Sequence, residues 1–316
     1  MLSGFLIAGL LFKEYAAHGK IAFGRFFIRR GFKIYPPYYA MIFVTLLPLF
    51  FRMGNAKTLR EVLPWLVYLQ NYFYTPVGAI WGHTWSLAIE EQFYLFIPLL
   101  LIVLTKLRYS KENPFTAVPM IFLIIGSGCL LMRILTAQHT PYSGALLSYF
   151  HLRLDSLFCG VYVAYIYHYC PSWFANATSR LRHWLLGIGS ALLLPAFCFQ
   201  LEQCVFIYTA GLTIFYLGSV CILMAVVDDQ AKSGVLPRTL ASIGSHSYSI
   251  YLWHFPIAWL SYRLLRNVRG PTLSWCCATA LYLVGSMVVA ILASNAIEIP
   301  MLRLRDRWYP SRSSGK

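Results

Sequence analysis

Residues 84–105 read TWSLAIEEQFYLFIPLLLIVLT, an apolar run whose only charges are Glu90 and Glu91 near its start. About 20 apolar residues are enough to carry a helix across the hydrocarbon core of a bilayer. Comparable runs lie at 34–52, 116–135, 144–170, 184–199, 204–227, 242–262 and 275–297, some of them only just long enough. With 59% hydrophobic and 12% charged residues in a chain of 316, and a mean hydropathy of +0.61, the apolar material exceeds what a soluble core could bury. The sequence therefore predicts an all-α, polytopic membrane helix bundle of about nine transmembrane helices. No polar stretch is long enough for a soluble domain, so residues 1–316 are expected to form a single membrane domain.

The first run, MLSGFLIAGLLFKEY, is apolar for only about eleven residues, roughly half a span. Its charges follow the apolar part, the reverse of a signal peptide. The net charge of +15 does not make this a nucleic-acid-binding protein, because Lys and Arg sit in short loops between spans, where cytoplasmic retention accounts for them. Of the 8 cysteines, Cys129, Cys159, Cys221, Cys276 and Cys277 lie inside apolar runs and read as small core residues. There is no CxxC pair and no zinc-like His spacing, so no metal site is expected. Cys198 and Cys204, flanking a short loop, are the two placed to pair.

Loop charge sets the topology. Lys13, Lys20, Arg25, Arg29, Arg30 and Lys33 against Glu14 place the 13–33 loop in the cytoplasm. Helix 34–52 then leads outward. Residues 62–82 are too broken by Pro64, Pro76 and polar side chains to span, and 84–105 returns to Lys106, Arg108 and Lys111. The next pairs turn outside at TAQHTPYS and at Glu202, with Arg180 and Arg182 inside between them. The last pair leaves Arg303, Arg305 and Arg307 inside. Arg263, Arg266 and Arg269 dissent, falling outside. Residue 1 also starts outside, so the first helix reads as truncated.

Three constellations carry candidate chemistry. In FFIRRGFKIYPPYY, Arg29, Arg30 and Lys33 gather at the inner mouth of a helix expected to start near Ile34, with Pro36 and Pro37 in its first turn. They read either as a membrane-surface anchor or as a phosphate clamp for a nucleotide-like donor. In HTWSLAIEEQFYLF, each acid costs about 2.5 kcal/mol or more at depth and needs a partner. At 100° per residue His83 and Glu90 share a helix face, suited to proton transfer or to a helix-to-helix hydrogen bond, while Glu91 points a quarter-turn away. In HLRLDSLFCG, Arg153 and Asp155 lie within a span, and in GSHSYSIYLWHFPI, Ser247, Tyr251 and His254 share a face. Threaded through this topology, Glu90, Arg153 and His254 lie at one depth, about 10–13 Å below the outer surface, which predicts a shared polar cavity.

Together these segments resemble the acyltransferase 3 family of multi-spanning membrane O-acyltransferases. The likeness runs through LSGFLI at Leu2–Ile7, RRxxKIxPxY at Arg29–Tyr38 and TWSLxxEEQFYL at Thr84–Leu95. It continues through RLDxLxxG at Arg153–Gly160, GxxSYxIYLWHxP at Gly244–Pro256 and ExPxxR at Glu298–Arg303. The resemblance implies an acyl-CoA donor, commonly acetyl-CoA, entering on the cytoplasmic side near Arg29, Arg30 and Lys33. It also implies a hydroxyl acceptor on an envelope or exported carbohydrate, met toward the outside of a bacterial cytoplasmic membrane. Lys33, Ala88 and Ile299 depart from the family pattern, which usually has Arg, Ser and Arg there. Family members also begin with a further helix carrying a histidine regarded as the catalytic base, so the chain is expected to lack that helix and half of the next.

The expectation is an acyltransferase with Glu90, Glu91, His83 and His254 as catalytic candidates. Arg29, Arg30, Lys33, Arg153 and Tyr251 are the candidate substrate-binding residues. Acyl-CoA serves as donor substrate, no cofactor is bound, and the bilayer is the remaining partner. An inactive scaffold lacking its base and a proton-coupled transporter are the rival readings; the transporter would show paired, Gly/Pro-broken halves, which the sequence lacks.

Overall fold

The structure, a computed structural model, describes residues 1–53, 55–73, 76–107, 113–140, 145–199, 204–227, 234–265 and 271–310. The helices in chain order are α1 (Leu2–His18), α2 (Phe23–Met53), α3 (Asn55–Leu66), a 3-10 segment Pro76–Thr84, α4 (Trp85–Leu107), α5 (Val118–His139) and α6 (Ala145–Ser148). They continue with α7 (Phe150–Tyr169), α8 (Pro171–Leu193), α9 (Pro195–Cys198), a π turn Ile207–Gly211, α10 (Leu212–Val226), α11 (Val235–Ser245), α12 (Ser247–Leu265) and α13 (Pro271–Ala293). A second π turn, Ser294–Glu298, leads into α14 (Ile299–Trp308). Among the described residues there is no strand, and the chain is all-α.

Among the described residues, five stretches are long and apolar enough to cross a membrane: Ile80–Leu107, Val118–His139, Pro171–Cys198, Ile207–Val226 and Thr272–Trp308. The burial pattern is that of a protein with lipid for solvent. Leu123, Ile124, Trp184, Trp275 and Val284 are exposed, whereas Arg133, Asp155 and Glu298 are buried. This is a membrane protein. The long helices α2, α7 and α12, which carry Arg29–Lys33, Arg153 and His254, are not among the five.

The chain forms two compact units that alternate along the sequence. The first contains Met1–Phe23 and Ser86–Gln230, and the second Gly24–Trp85 and Ala231–Ser311. In the first unit α1 and α5 both pack on α7, and α8 packs on α10. Two close approaches need glycine. A Cβ on Gly4 would lie 1.9 Å from the Leu157 carbonyl oxygen, and one on Gly160 2.2 Å from that of Met1, so α1 and α7 meet backbone to backbone. Gly189 and Gly218 do the same for α8 and α10, each Cβ falling 2.9 Å from the other's carbonyl oxygen. Around the α1–α7 contact, Phe12 packs on Phe115 and Tyr169 at ring-centroid distances of 4.9 and 5.5 Å.

In the second unit α12 packs on α13, and the 3-10 segment packs against both α3 and α12. The non-spanning stretch expected at 62–82 is these short elements. They are held by α2: the Tyr38 hydroxyl donates to the Trp65 carbonyl at 2.9 Å and the Tyr39 hydroxyl to that of Leu66 at 2.8 Å. Trp81 donates through Nε1 to Thr45 at 2.7 Å.

Several boundaries differ from those read in the sequence. Helix α2 starts at Phe23, not near Ile34, so Arg29, Arg30 and Lys33 lie within it, and Pro36 and Pro37 fall in its interior rather than its first turn. Arg25, Arg29, Arg30 and Lys33 lower the hydropathy of the helix's first three turns, so hydropathy alone starts the helix too late. Helix α8 begins at Pro171, a residue suited to a first turn, and therefore contains Arg180 and Arg182 instead of following a loop that holds them. Likewise Arg303, Arg305 and Arg307 are helical, in α14. Cys198 and Cys204 are both free, which overturns the expected pairing. Arg263 closes α12 with its guanidinium 5.0 Å from the Trp259 ring centre, whereas Arg108, Lys111, Glu202, Arg266 and Arg269 lie outside the described residues.

Candidate functional site

In the first unit, Glu90 and Glu91 project from the second turn of α4. One Glu90 oxygen accepts from the Ser3 hydroxyl at 2.6 Å and the other from Tyr94 at 2.7 Å. Two hydroxyl donors, from α1 and from the next turn of α4, thus replace the water a carboxylate would lose in the bilayer. Glu91 is buried. The Arg153 side chain, on α7, makes no hydrogen bond among the described residues, and its charge and that of Glu90 both reach the α-amino group of Met1. The LSGFL, EEQFYL and RLDxLxxG segments therefore interlock: Ser3 holds Glu90, while Gly4 and Gly160 let α1 lie against α7.

Asp155 does not pair with its neighbour Arg153. Its partner is Arg133 of α5, at 2.8 Å, with both side chains fully buried. Arg133 also donates to the Leu152 carbonyl at 2.9 Å and to Thr213 of α10 at 2.7 Å, tying three helices together. Sequence reasoning missed Arg133. A lone Arg inside the 116–135 run carried the signal, by the same depth-cost argument that singled out Glu90.

In the second unit, His83 is not on the helix of Glu90. It sits in the 3-10 segment one residue before Thr84, whose hydroxyl donates to the Trp81 carbonyl at 2.7 Å while Gln70 donates to the Thr84 carbonyl at 3.0 Å. Because α4 begins only at Trp85, His83 and Glu90 do not lie on one α-helix, as the expected shared face requires. His83 is instead brought to α12. Its ring lies 4.9 Å from that of His254, 5.3 Å from Tyr251 and 5.1 Å from Phe255, on which it stacks at 24°. The Tyr251 hydroxyl donates to the His83 carbonyl. The backbone of Leu252 and Tyr251 faces the His83 ring, yet neither ring nitrogen makes a hydrogen bond of normal length to a described residue.

His254 Nδ1 lies 2.6 Å from the Tyr251 carbonyl oxygen. A carbonyl only accepts, so Nδ1 carries the proton and, in the neutral ring, Nε2 is left as a lone-pair acceptor. Tyr251 and His254 thus share a face as the spacing predicted, with ring centroids 5.7 Å apart, and α12 orients the His254 imidazole.

At one end of this unit, the expected phosphate clamp touches α14. Arg29 pairs with Asp306 at 3.3 Å and donates to the Tyr309 carbonyl, and Arg25 donates to that of Pro310. Phe32 packs edge-on to Trp308 at 6.0 Å. Arg29 precedes the apolar 34–52 stretch, and burial, followed by the nearby Arg305 guanidinium, pulls its pKa below the usual arginine value. The two basic clusters that loop charge assigned to one membrane face are therefore in contact. A further pair of family segments meets deeper in the unit. Tyr248 donates to the Ile34 carbonyl at 2.8 Å, and the buried Glu298 accepts from Ser249 at 2.6 Å and from Ser294 at 3.2 Å.

Helices with apolar exteriors, a buried ion pair and an oriented imidazole define an integral membrane protein with polar groups in its interior. The chain belongs to the acyltransferase 3 family, whose model, described as an acyltransferase domain, matches residues 1–294. It is similar to the peptidoglycan O-acetyltransferase OatA of Listeria monocytogenes, with 27% identity over 322 residues, covering 95% of this chain and 50% of that protein. It is also similar to the O-acetyltransferase OatA of Staphylococcus aureus, with 28% identity over 281 residues, covering 81% of this chain and 44% of the relative. The chain thus spans about half the length of the curated relatives it matches. No solved structure matches it.

Proposed function

We propose that the protein transfers an acyl group, with acetyl as the expected one, from acyl-CoA to a hydroxyl of an envelope carbohydrate at the bacterial cytoplasmic membrane. The observation that carries this reading is the His83–Tyr251–His254 cluster, in which one imidazole has its Nδ1 proton fixed and its Nε2 lone pair available. Membership of an acyltransferase family and likeness to proteins named O-acetyltransferases support it.

In this mechanism His254 Nε2 removes the acceptor hydroxyl proton as the oxygen attacks the thioester carbon. The C–S bond breaks, and the departing thiolate takes up a proton. Once His254 is protonated, a second positive charge on the His83 ring 4.9 Å away is disfavoured, so the proton stays on His254 until the thiolate takes it. Tyr251 positions both rings. Arg29, Arg30 and Lys33 attract the donor's phosphates, a role fitted to guanidinium forks and an ammonium at a helical end of the unit.

The test is transfer of labelled acetyl from acetyl-CoA in membranes, with peptidoglycan, on which the Listeria relative acts by its name, as the first acceptor. His254→Gln is expected to lower the rate about 10²–10⁴-fold, the usual worth of a general base, with the unfolding temperature unchanged. A well-folded unmodified protein that transfers nothing to any envelope carbohydrate would return the choice to the scaffold and transporter readings.

A further inference from the structure

Asp306 is the only acidic residue on α2 or α14, and it sits between two arginines. Arg305 holds it with a fork, Nε and Nη2 donating to its two oxygens at 2.9 Å each, while Arg29 approaches the first oxygen at 3.3 Å from the other helix. The three are not equally enclosed. The Asp306 side chain is 52% exposed, those of Arg29 and Arg305 22% and 20%. The carboxylate is thus the most exposed member of the three. Both helices otherwise carry only cations, Arg25, Arg30, Lys33 and Arg52 on α2 and Arg303 and Arg307 on α14.

A guanidinium fork that fits a carboxylate also fits a phosphate, and a phosphate brings more charge. A salt bridge serving only to fasten α14 would need no such surplus of positive charge, and Arg29 to Tyr309 and Arg25 to Pro310 already fasten it through backbone carbonyls. We propose that Arg305 and Arg29 form a two-arginine site for a phosphate group of the acyl-CoA donor, and that Asp306 fills it as an internal anion which the donor displaces. This rests on the acyl-CoA reading above and adds to it Arg305, a residue outside the family motifs, and a built-in competitor. The competitor has a use: it holds the forks in register while the site waits, and it weakens phosphates that bring too little charge to evict it.

The experiment measures binding of radiolabelled coenzyme A to the purified full chain in nanodiscs. Asp306→Asn removes the competing charge and is expected to tighten coenzyme A about 3- to 10-fold, whereas Arg305→Gln is expected to weaken it at least tenfold. Unchanged or weaker binding by folded Asp306→Asn protein overturns the proposal. Should that variant not fold, Arg305→Gln alone decides, and wild-type affinity in it is equally fatal. Because anionic headgroups share this chemistry, each protein is assayed in phosphatidylcholine discs with and without phosphatidylglycerol. If Asp306→Asn instead tightens phosphatidylglycerol association and leaves coenzyme A untouched, the site belongs to lipid and the donor assignment is overturned. The two readings fail separately. A protein that transfers acetyl but ignores Asp306 loses only this site, one that binds coenzyme A under control of Asp306 but transfers nothing loses only the function, and one that binds none loses both.

Discussion

The two units treat charge in opposite ways. In the first, opposite charges are spent on each other inside the core: Arg133 and Asp155 meet with no solvent exposure, and Glu90 has a donor on each oxygen. In the second, groups of like kind face one another. Two imidazoles lie 4.9 Å apart, and two arginines share one half-exposed carboxylate. A buried ion pair held by further hydrogen bonds stabilises and specifies; groups left with spare lone pairs or spare charge are available to a substrate. On the proposed function, the contrast puts scaffolding chiefly in the first unit and reactive chemistry chiefly in the second, and it can be broken by measuring stability and activity side by side.

The largest stability effect is expected at Arg133. Arg133→Met leaves Asp155 buried without its cation, a loss of about 3–5 kcal/mol, whereas Arg133→Met combined with Asp155→Leu should recover most of it because the pair's own desolvation cost disappears as well. Thermal unfolding in detergent reads both. The contrast fails if His254→Gln proves as destabilising as Arg133→Met.

Next is Gly160. Any Cβ there would fall 2.2 Å from the Met1 carbonyl oxygen and 2.6 Å from the Phe5 nitrogen, both backbone atoms that cannot swing aside. Gly160→Ala is therefore expected to push α1 off α7 at a cost of about 1–3 kcal/mol, and to loosen Ser3 from Glu90 with it. A variant as stable as the parent would show that α1 is not part of the scaffold.

What the sequence made legible follows the same division. Long apolar runs announced the helical membrane bundle because lipid demands about 20 apolar residues per crossing, and the spacing of Tyr251 and His254 survived because α12 is one unbroken helix. The single helix expected to carry both His83 and Glu90 begins only at Trp85, after the 3-10 segment Pro76–Thr84, a boundary that hydropathy does not record. Arg133 was passed over because its partner is 22 residues away, on another helix, and intramembrane pairing has no sequence period. Asp306 was hidden for a different reason. In a tail of arginines one acid looks like dilution of charge, and its place between Arg29 and Arg305 emerges only when α14 returns to α2.

The smallest effect sharpens the contrast most. Tyr248 joins α12 to α2 through one neutral hydrogen bond, its hydroxyl donating to the Ile34 carbonyl at 2.8 Å. Tyr248→Phe keeps the ring and removes only the donor, so the stability cost should be about 0.5–1.5 kcal/mol, well below that at Arg133. Tyr248 is also the second residue of the helix that carries His254, and, on the proposed function, a base held slightly out of register loses rate steeply. Acetyl transfer by Tyr248→Phe is therefore expected to fall by a larger factor than its shift in unfolding free energy alone would give. If rate and stability fall in step, that bond is ordinary scaffolding, and the second unit is built no differently from the first.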